Sequence, residues 1–249
     1  MKNKINFENL TFDKFKVLAL SNELSSHEKV GFPDEYRKGR EEEIFSDIRT
    51  KMRSLNRDNI VALDIGPGCS QLPLLLGNLC QQQSGDVHFV DSKEMLDLLP
   101  NAPWIHKWAR CFPDVPELFE ALTGKVDSIV VYSVIQYVFA EGNLWDFVDC
   151  CLSLLNEGGE VLLGDIPNTT MRKRFFSSSD GIRTHQEYTQ SDEIPDICFN
   201  QLEPAKIDDS VVLAILSRAR AAGFHAWALP QGPSLPMSNR REDILIRRP

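Results

Sequence analysis

Residues 59–68, NIVALDIGPG, constrain this chain more than any other stretch. Ile60, Val61, Ala62 and Leu63 form an apolar run that ends in an acid, Asp64, and Gly66 and Gly68 follow with one residue between them. Such a run reads as a strand buried on both faces. The glycines permit a sharp turn and leave room for a ligand to lie against the backbone. Ser70 stands where a helix N-cap belongs, and Leu72, Leu75, Leu76, Leu79 and Cys80 recur at spacings of three and four. Pro73 falls in the first turn of that helix, where its missing N–H costs little. Strand, glycine turn and helix in this order open the nucleotide-binding sheets of α/β proteins.

A chain of 249 residues fits one α/β domain with a terminal extension, here residues 1–55 as a helical cap and 56–249 as the main domain. A hydrophobic content of 42% supplies a full core. No apolar run reaches the ~18 residues of a membrane span, so no membrane partner is expected. The N-terminus lacks the apolar core of a signal peptide, which predicts a cytoplasmic protein. The six cysteines form no CxxC pair and read as buried free thiols. No carboxylate–histidine spacing demands a metal. The net charge of −9, without a dominant basic block, disfavours nucleic acid and leaves a small molecule as the expected partner.

Leu10, Phe12, Phe15, Val17 and Leu18 read as a short helix or strand packed on the main domain. A turn at residues 31–33 leads into a helix expected over 34–55, with Ile44, Ile48, Met52 and Leu55 on one face. Arg37 and Lys38, next to Gly39, are candidates to meet a carboxylate or phosphate. A second strand, 87–90, also ends in an acid, Asp91, which can accept hydrogen bonds from both hydroxyls of an adenosine ribose and can equally cap the helix that Ser92 begins. A third strand falls within 104–108. A fourth covers 126–131 and runs on towards Tyr137, and an amphipathic helix from Leu144 is stopped by Gly158 and Gly159. A fifth strand covers 160–163. Residues 169–206 then break the alternation. They are polar, with little periodicity, and carry Arg172, Lys173, Arg174, Phe175, Phe176 and His185; such a stretch is either disordered or a functional lid, and the two phenylalanines and the histidine argue for a lid. Asp208 or Asp209 caps a further helix, and two terminal strands, 224–229 and 244–246, are joined too tightly to pair in parallel.

LDIGPG at 63–68, FVDS at 89–92, VDSIVVYSVIQYV at 126–138 and LLNEGGEVLLGDIPN at 154–168 together resemble, in order and spacing, the motifs of the class I S-adenosylmethionine-dependent methyltransferases. The resemblance implies a Rossmann-like α/β sheet, mostly parallel with a C-terminal antiparallel strand, helices on both faces, an N-terminal helical cap and an inserted lid. It implies S-adenosylmethionine as cofactor and S-adenosylhomocysteine (SAH) as product. It assigns Asp64 and the backbone of Gly66 and Gly68 to the amino-acid end of the cofactor, and Asp91 with Ser92 to the ribose. Arg110 and Cys111 would flank the adenine, although the third-strand motif departs here from the family's small–acid–small pattern. Tyr132 and Ser133 would lie beside the sulfonium.

The segments GDIPNTTMRKRFF and PMSNRRED resemble small-molecule methyltransferases of bacterial surface-sugar biosynthesis. That implies O-methylation of a sugar, or of a phosphorylated or nucleotide-linked metabolite. Arg37, Tyr137, Arg172, Arg174 and Arg240 are then the candidates to bind it, guanidinium groups matching phosphate geometry. An alcohol acceptor needs a base, for which His185, with an ordinary pKa near neutrality, and Asp165, just past the fifth strand, are the candidates. Two other readings compete. A nicotinamide dehydrogenase needs GxGxxG, but Gln71 holds the third glycine's place, and Asp64 would repel a pyrophosphate while suiting an α-ammonium. A non-catalytic cofactor-binding partner of another enzyme would share every cofactor motif.

Overall fold

The computed structural model describes residues 10–201 and 203–249. Residues 1–9, on which the leader reading and the start of the N-terminal cap rest, lie outside the described residues. Four helices lead in: α1 (Phe12–Leu20), α2 (Ser26–Lys29), α3 (Asp34–Arg37) and α4 (Glu41–Lys51), followed by a 3-10 turn at Arg53–Asn56. Strands and helices then alternate as β1 (Val61–Ile65), α5 (Gln71–Gln82), β2 (Asp86–Asp91), α6 (Lys93–Leu96), β3 (Ile105–Ala109), α7 (Pro116–Leu122) and β4 (Val126–Tyr132). They continue through α8 (Ile135–Glu141), α9 (Leu144–Leu154) and β5 (Leu155–Pro167). Last come α10 (Thr169–Phe176), α11 (Ser179–Thr189), α12 (Asp209–Ala221), β6 (His225–Pro230) and β7 (Arg241–Arg247).

The seven strands form one sheet in the order β3-β2-β1-β4-β5-β7-β6. The first five are parallel, and β7 runs antiparallel to both β5 and β6. Neighbouring residues of each central strand serve opposite faces, as the two-residue period of a strand requires. Leu63, Ile129 and Leu163 pack with Phe147 of α9 and Ile215 of α12. Ala62, Val130 and Leu162, each one position earlier or later, pack with Ile48 of α4 and Leu76 of α5. This double burial is why these strands read as unbroken apolar runs.

Four stretches depart from the sequence expectation, each for a local reason. The helix expected over 34–55 is broken, because Gly39 at φ 77° ends α3 and Arg40 restarts the chain as α4. The apolar run of β4 does not continue to Tyr137 as strand. Ser133, at φ 61°, turns the chain, and the remainder coils into α8. The amphipathic helix ends at Leu154 before any glycine, and Leu155 already pairs with Val126, so Gly158 and Gly159 lie inside β5. The polar stretch after Asn168 holds two helices, capped by the side chains of Asn168 and Ser178. No residue of α10 is buried, so this segment had no apolar periodicity to display. Among the described residues, no helix is long and apolar enough to cross a membrane.

The lead-in segment is fastened to the sheet by a buried acid. Glu160 of β5 is 1% exposed; it accepts the Ser54 backbone N–H at 2.9 Å and the Arg247 Nε–H at 2.7 Å. Removing one member of a buried pair strands the other and costs about 3–5 kcal/mol, with the lower figure apt here because Arg247 is partly exposed. Glu160→Ala should therefore lower the unfolding free energy by about 3 kcal/mol in urea titrations. A loss below about 0.5 kcal/mol would show that the anchor is idle.

Candidate active site

The sheet's strand order reverses direction between β1 and β4, and the carboxyl ends of the strands part there, the usual place for a ligand in open α/β sheets. A cavity of about 360 Å³ opens at this point. Its floor is the turn after β1. Gly66 and Gly68 have φ 70° and 67°, in the left-handed region. A Cβ on Gly66 would stand 2.7 Å from Val134 Cγ2, and one on Gly68 2.4 Å from Val30 Cγ1. The turn thus needs glycine for its conformation and for the closeness of its neighbours. Ser70 occupies the N-cap position of α5, but its side chain makes no cap hydrogen bond.

Two carboxylates face this cavity in different states. Asp64 lies one residue before the end of β1, is 3% exposed, and no described residue donates a hydrogen bond to its side chain. Burial, and next the charge of Asp91, push its carboxyl up to about 8. Asp91 ends β2 and accepts the Ser92 N–H at 2.6 Å and the Gly68 N–H at 3.3 Å. Burial raises it to about 6 against the pull of those two N–H groups. A buried acid without donors is costly unless a cation or a proton meets it.

The opposite wall is built around Arg37. Its Nη2 donates to Asp165 Oδ2 at 2.6 Å and to Ser133 Oγ, and its guanidinium carbon lies 4.0 Å from the Phe32 ring centroid and 5.3 Å from that of Tyr132. Its Nε and Nη1 have no hydrogen-bond partner among the described residues. Asp165 also accepts from Arg241 at 2.7 Å, from Gln231 at 3.3 Å and from the Ser133 hydroxyl. Burial alone would raise Asp165, but Arg241 and Arg37, aided by Ser133 and Gln231, outweigh it and hold its carboxyl below the usual carboxylate range. The cover is N-terminal. Phe12 and Phe15 of α1, with Val30 and Phe32, close over the cavity, and Phe15 meets Tyr137 of α8 edge to face at 5.1 Å.

The structure thus brings together most of the residues the sequence marked. Asp64, Gly66, Gly68 and Asp91 line the cavity on one side, and Arg110 and Cys111 line it beyond the end of β3. Tyr132, Ser133, Tyr137 and Arg37 line it on the other. Ser92 is 2% exposed and does not face the cavity; it caps α6 and acts through Asp91. Both expected bases are corrected. Asp165 is saturated by donors and lies behind Ser133 and Arg37, where it can take no proton from a ligand. His185 sits on α11 with its ring edge-on to Phe176, 6.1 Å away, and is not among the described residues lining the cavity. The same holds for Arg172, Arg174 and Arg240, and no described residue of 169–206 lines this cavity. The segment the sequence left open between helix and strand folds as α1, and its Phe12 and Phe15 line the cavity. Glu141 and Asp146, both exposed, add rim acids that the sequence did not single out.

If Asp64 is the unpaired acid this geometry makes it, Asp64→Asn should stabilise the ligand-free protein, and more so at high pH. A carboxyl whose folded pKa lies above its unfolded 3.8 takes up a proton on folding, so its penalty grows as pH rises towards about 8. The gain should increase by up to about 1.4 kcal/mol per pH unit across that window and then level off. Thermal melts of both proteins from acid to mildly alkaline pH read this directly; a pH-independent difference would show that Asp64 has a partner.

No protein-family model matches the sequence, and no curated protein is similar to it. Solved structures do match. The plantazolicin methyltransferase BpumL in complex with SAH is 12% identical, with a TM-score of 0.59, over 96% of this chain and 98% of that one. The CurJ carbon methyltransferase is 15% identical, with a TM-score of 0.53, over 94% of this chain and 63% of that one. An O-methyltransferase family protein from Burkholderia thailandensis is 13% identical, with a TM-score of 0.50, over 83% of this chain and 55% of that one. This chain spans nearly the whole of BpumL but less than two thirds of the other two. At such identities the likeness is one of architecture, and with the strand order and the cavity at β1 and β4 it shows that this chain has the fold of the class I S-adenosylmethionine-dependent methyltransferases.

Proposed function

We propose that this chain is an S-adenosylmethionine-dependent methyltransferase acting on a small molecule, at an oxygen of a sugar or of a phosphorylated or nucleotide-linked metabolite. The observation that carries the reading is Asp64: a buried carboxyl with no donor among the described residues, beside a glycine turn at the carboxyl end of β1 in this fold. It fits the α-ammonium of adenosylmethionine. It does not fit the pyrophosphate of a dinucleotide, which would meet two acids, Asp64 and Asp91, and no third glycine. BpumL, which shares the fold across its length, was solved with SAH bound.

In this reading Asp64 holds the α-ammonium and the Gly66–Gly68 turn lies against the amino-acid end. The remaining lone pairs of Asp91 accept from the ribose hydroxyls, and Arg110 and Cys111 flank the adenine. The cofactor supplies a methyl already activated on a sulfonium, so the protein's work is alignment and the exclusion of water. Phe12, Phe15 and Phe32 exclude water from above. Arg37, locked by Asp165 and Ser133, offers its free N–H groups to an acceptor oxygen. Tyr137, whose phenol is pushed up by burial and stays protonated, can donate a hydrogen bond to the acceptor but not take its proton, which passes instead to a rim carboxylate of the cavity, Glu141 or Asp146.

Calorimetry with adenosylmethionine, SAH and NAD separates this reading from its rivals: the first two should bind and NAD should not. Absence of SAH binding would sink the proposal. Asp91→Ala should weaken SAH about 10–100-fold, the worth of hydrogen bonds to a charged acceptor. Because Asp64 must ionise to meet a cation and holds its proton up to about 8, SAH affinity should rise with pH, by at most about tenfold per unit, and then flatten. Asp64→Asn should remove that dependence, and a slope unchanged by it would dissociate Asp64 from the cofactor.

A further inference from the structure

Outside the cavity, α10 packs on the 3-10 turn Ser238–Arg240 that precedes β7. There two arginines share one aromatic ring. The guanidinium carbon of Arg172 lies 5.3 Å from the Phe176 ring centroid and that of Arg240 5.6 Å from it. The neighbouring cations of this segment are spent: Lys173 pairs with Glu203 at 3.0 Å, and Arg174 reaches both oxygens of Asp209 at 2.5 and 3.3 Å. Arg172 and Arg240 have no carboxylate partner among the described residues. The side chain of Arg240 donates one hydrogen bond, to its neighbour Asn239 at 3.0 Å. The adjacent acid, Glu242, is engaged by Asn168 at 2.5 Å. Burial, and next Arg241 and Arg172, depress the pKa of Arg240. Like charges are held together here at a cost.

The pair is not remote from the cavity. Arg240 is followed by Arg241, which pairs with Asp165 and lies 5.8 Å from the Phe32 ring centroid. Arg37 stacks on the same ring at 4.0 Å and lines the cavity. Four arginines, Arg172, Arg240, Arg241 and Arg37, thus lead from α10 to the cavity wall, with one carboxylate, Asp165, among them.

We infer that Arg172 and Arg240, framed on Phe176, form a phosphate site that seats the anionic arm of the acceptor, while its methyl-receiving end lies at Arg37 and Tyr137. The inference rests on the methyltransferase reading and names the substrate class within it. Phosphate is favoured over carboxylate because two unpaired guanidiniums call for about two negative charges and several acceptor oxygens, which a phosphate monoester or a diphosphate carries near neutral pH. The same charges explain why Arg174, although in the same basic run, takes no part.

The test is calorimetric titration of the SAH-loaded protein, at low salt, with pyrophosphate and with inorganic phosphate. Pyrophosphate should bind, and Arg172→Gln with Arg240→Gln should weaken it about tenfold or more. SAH affinity should be unchanged in that variant, and Arg174→Gln should leave pyrophosphate within about twofold of the parent. Pyrophosphate binding more tightly than phosphate identifies a diphosphate-linked acceptor; the reverse identifies a monoester. Either supports the site. Arg240→Gln should also leave the melting temperature of the ligand-free protein unchanged or higher, since it relieves like-charge repulsion. A lower melting temperature with unchanged pyrophosphate affinity would make Arg240 structural and overturn the assignment. So would an SAH-loaded protein that binds neither anion, or one whose pyrophosphate affinity survives the double substitution. Failure to bind SAH overturns the methyltransferase reading instead, and the anion titrations of the free protein then still report on the arginine pair.

Discussion

The carboxylate of Asp165 is the point on which the cavity's architecture depends. It is 4% exposed and accepts from Arg37 of the N-terminal cap, Ser133 at the end of β4, Arg241 of β7 and Gln231 before it. A buried ion is tolerated only where its lone pairs are met, and here they are met by four separate parts of the chain. The backbone bends to achieve it. The pairing of β5 with β7 slips between Leu163 and Ile166, and Asp165 in that irregularity has φ 58°, matched by Ser133 at 61° across the sheet. Non-glycine residues in this region store strain that only over-determined surroundings maintain. The result is a cavity wall in which Arg37 is fixed before any ligand arrives, the preorganisation that a positional catalyst needs.

Asp64 is the counterpart of Asp165. Both are buried aspartates at the carboxyl ends of sheet strands, and their environments push them in opposite directions. Four donors hold Asp165 ionised; Asp64 has none among the described residues and retains its proton up to about 8. Such divergence between like groups is a mark of assigned roles. The saturated acid is part of the frame, and the other lines the cavity with no donor among the described residues.

The local features of the site were legible in the sequence and the long-range ones were not. The strand, acid and glycines of residues 61–68 form one continuous segment, so their order alone places Asp64, Gly66 and Gly68 together. Asp91 follows because the second strand repeats the same pattern. The bond from Arg37 to Asp165 spans 128 positions, and no periodicity in either segment announces it. With that bond unseen, Asp165 passed for a base. The part α1 plays over the cavity is not legible in the sequence for a related reason. Residues 169–206 are long, polar and carry a histidine, the compositional marks of a lid, whereas α1 is short and its role follows from Phe12 and Phe15 reaching a cavity that only the assembled sheet creates. The helices of that polar stretch escaped notice because none of α10 is buried, so capping residues and not an apolar stripe define them.

The two ends of this site are built from groups of opposite kind, acids at the glycine turn and arginines beyond the other end. At one end stand Asp64 and Asp91, both raised by burial, Asp64 also by the charge of Asp91 and Asp91 by that of Glu94; beyond the other stand Arg172 and Arg240, the latter depressed by burial and then by Arg241 and Arg172. A chain selected for stability alone would place a lysine near Asp64 and an acid near Arg240, as it has done for Asp243 with Lys51 at 2.6 Å and for Asp209 with Arg174 at 2.5 Å. Those pairs show that this fold readily neutralises charge where nothing else is to bind. In the proposed reading, the groups left without partners mark where ligands would supply the missing charge, a cation at the glycine turn and an anion beyond Arg37. A complex with both in place satisfies both ends at once, with the methyl donor and acceptor meeting between them at the wall that Asp165 holds rigid.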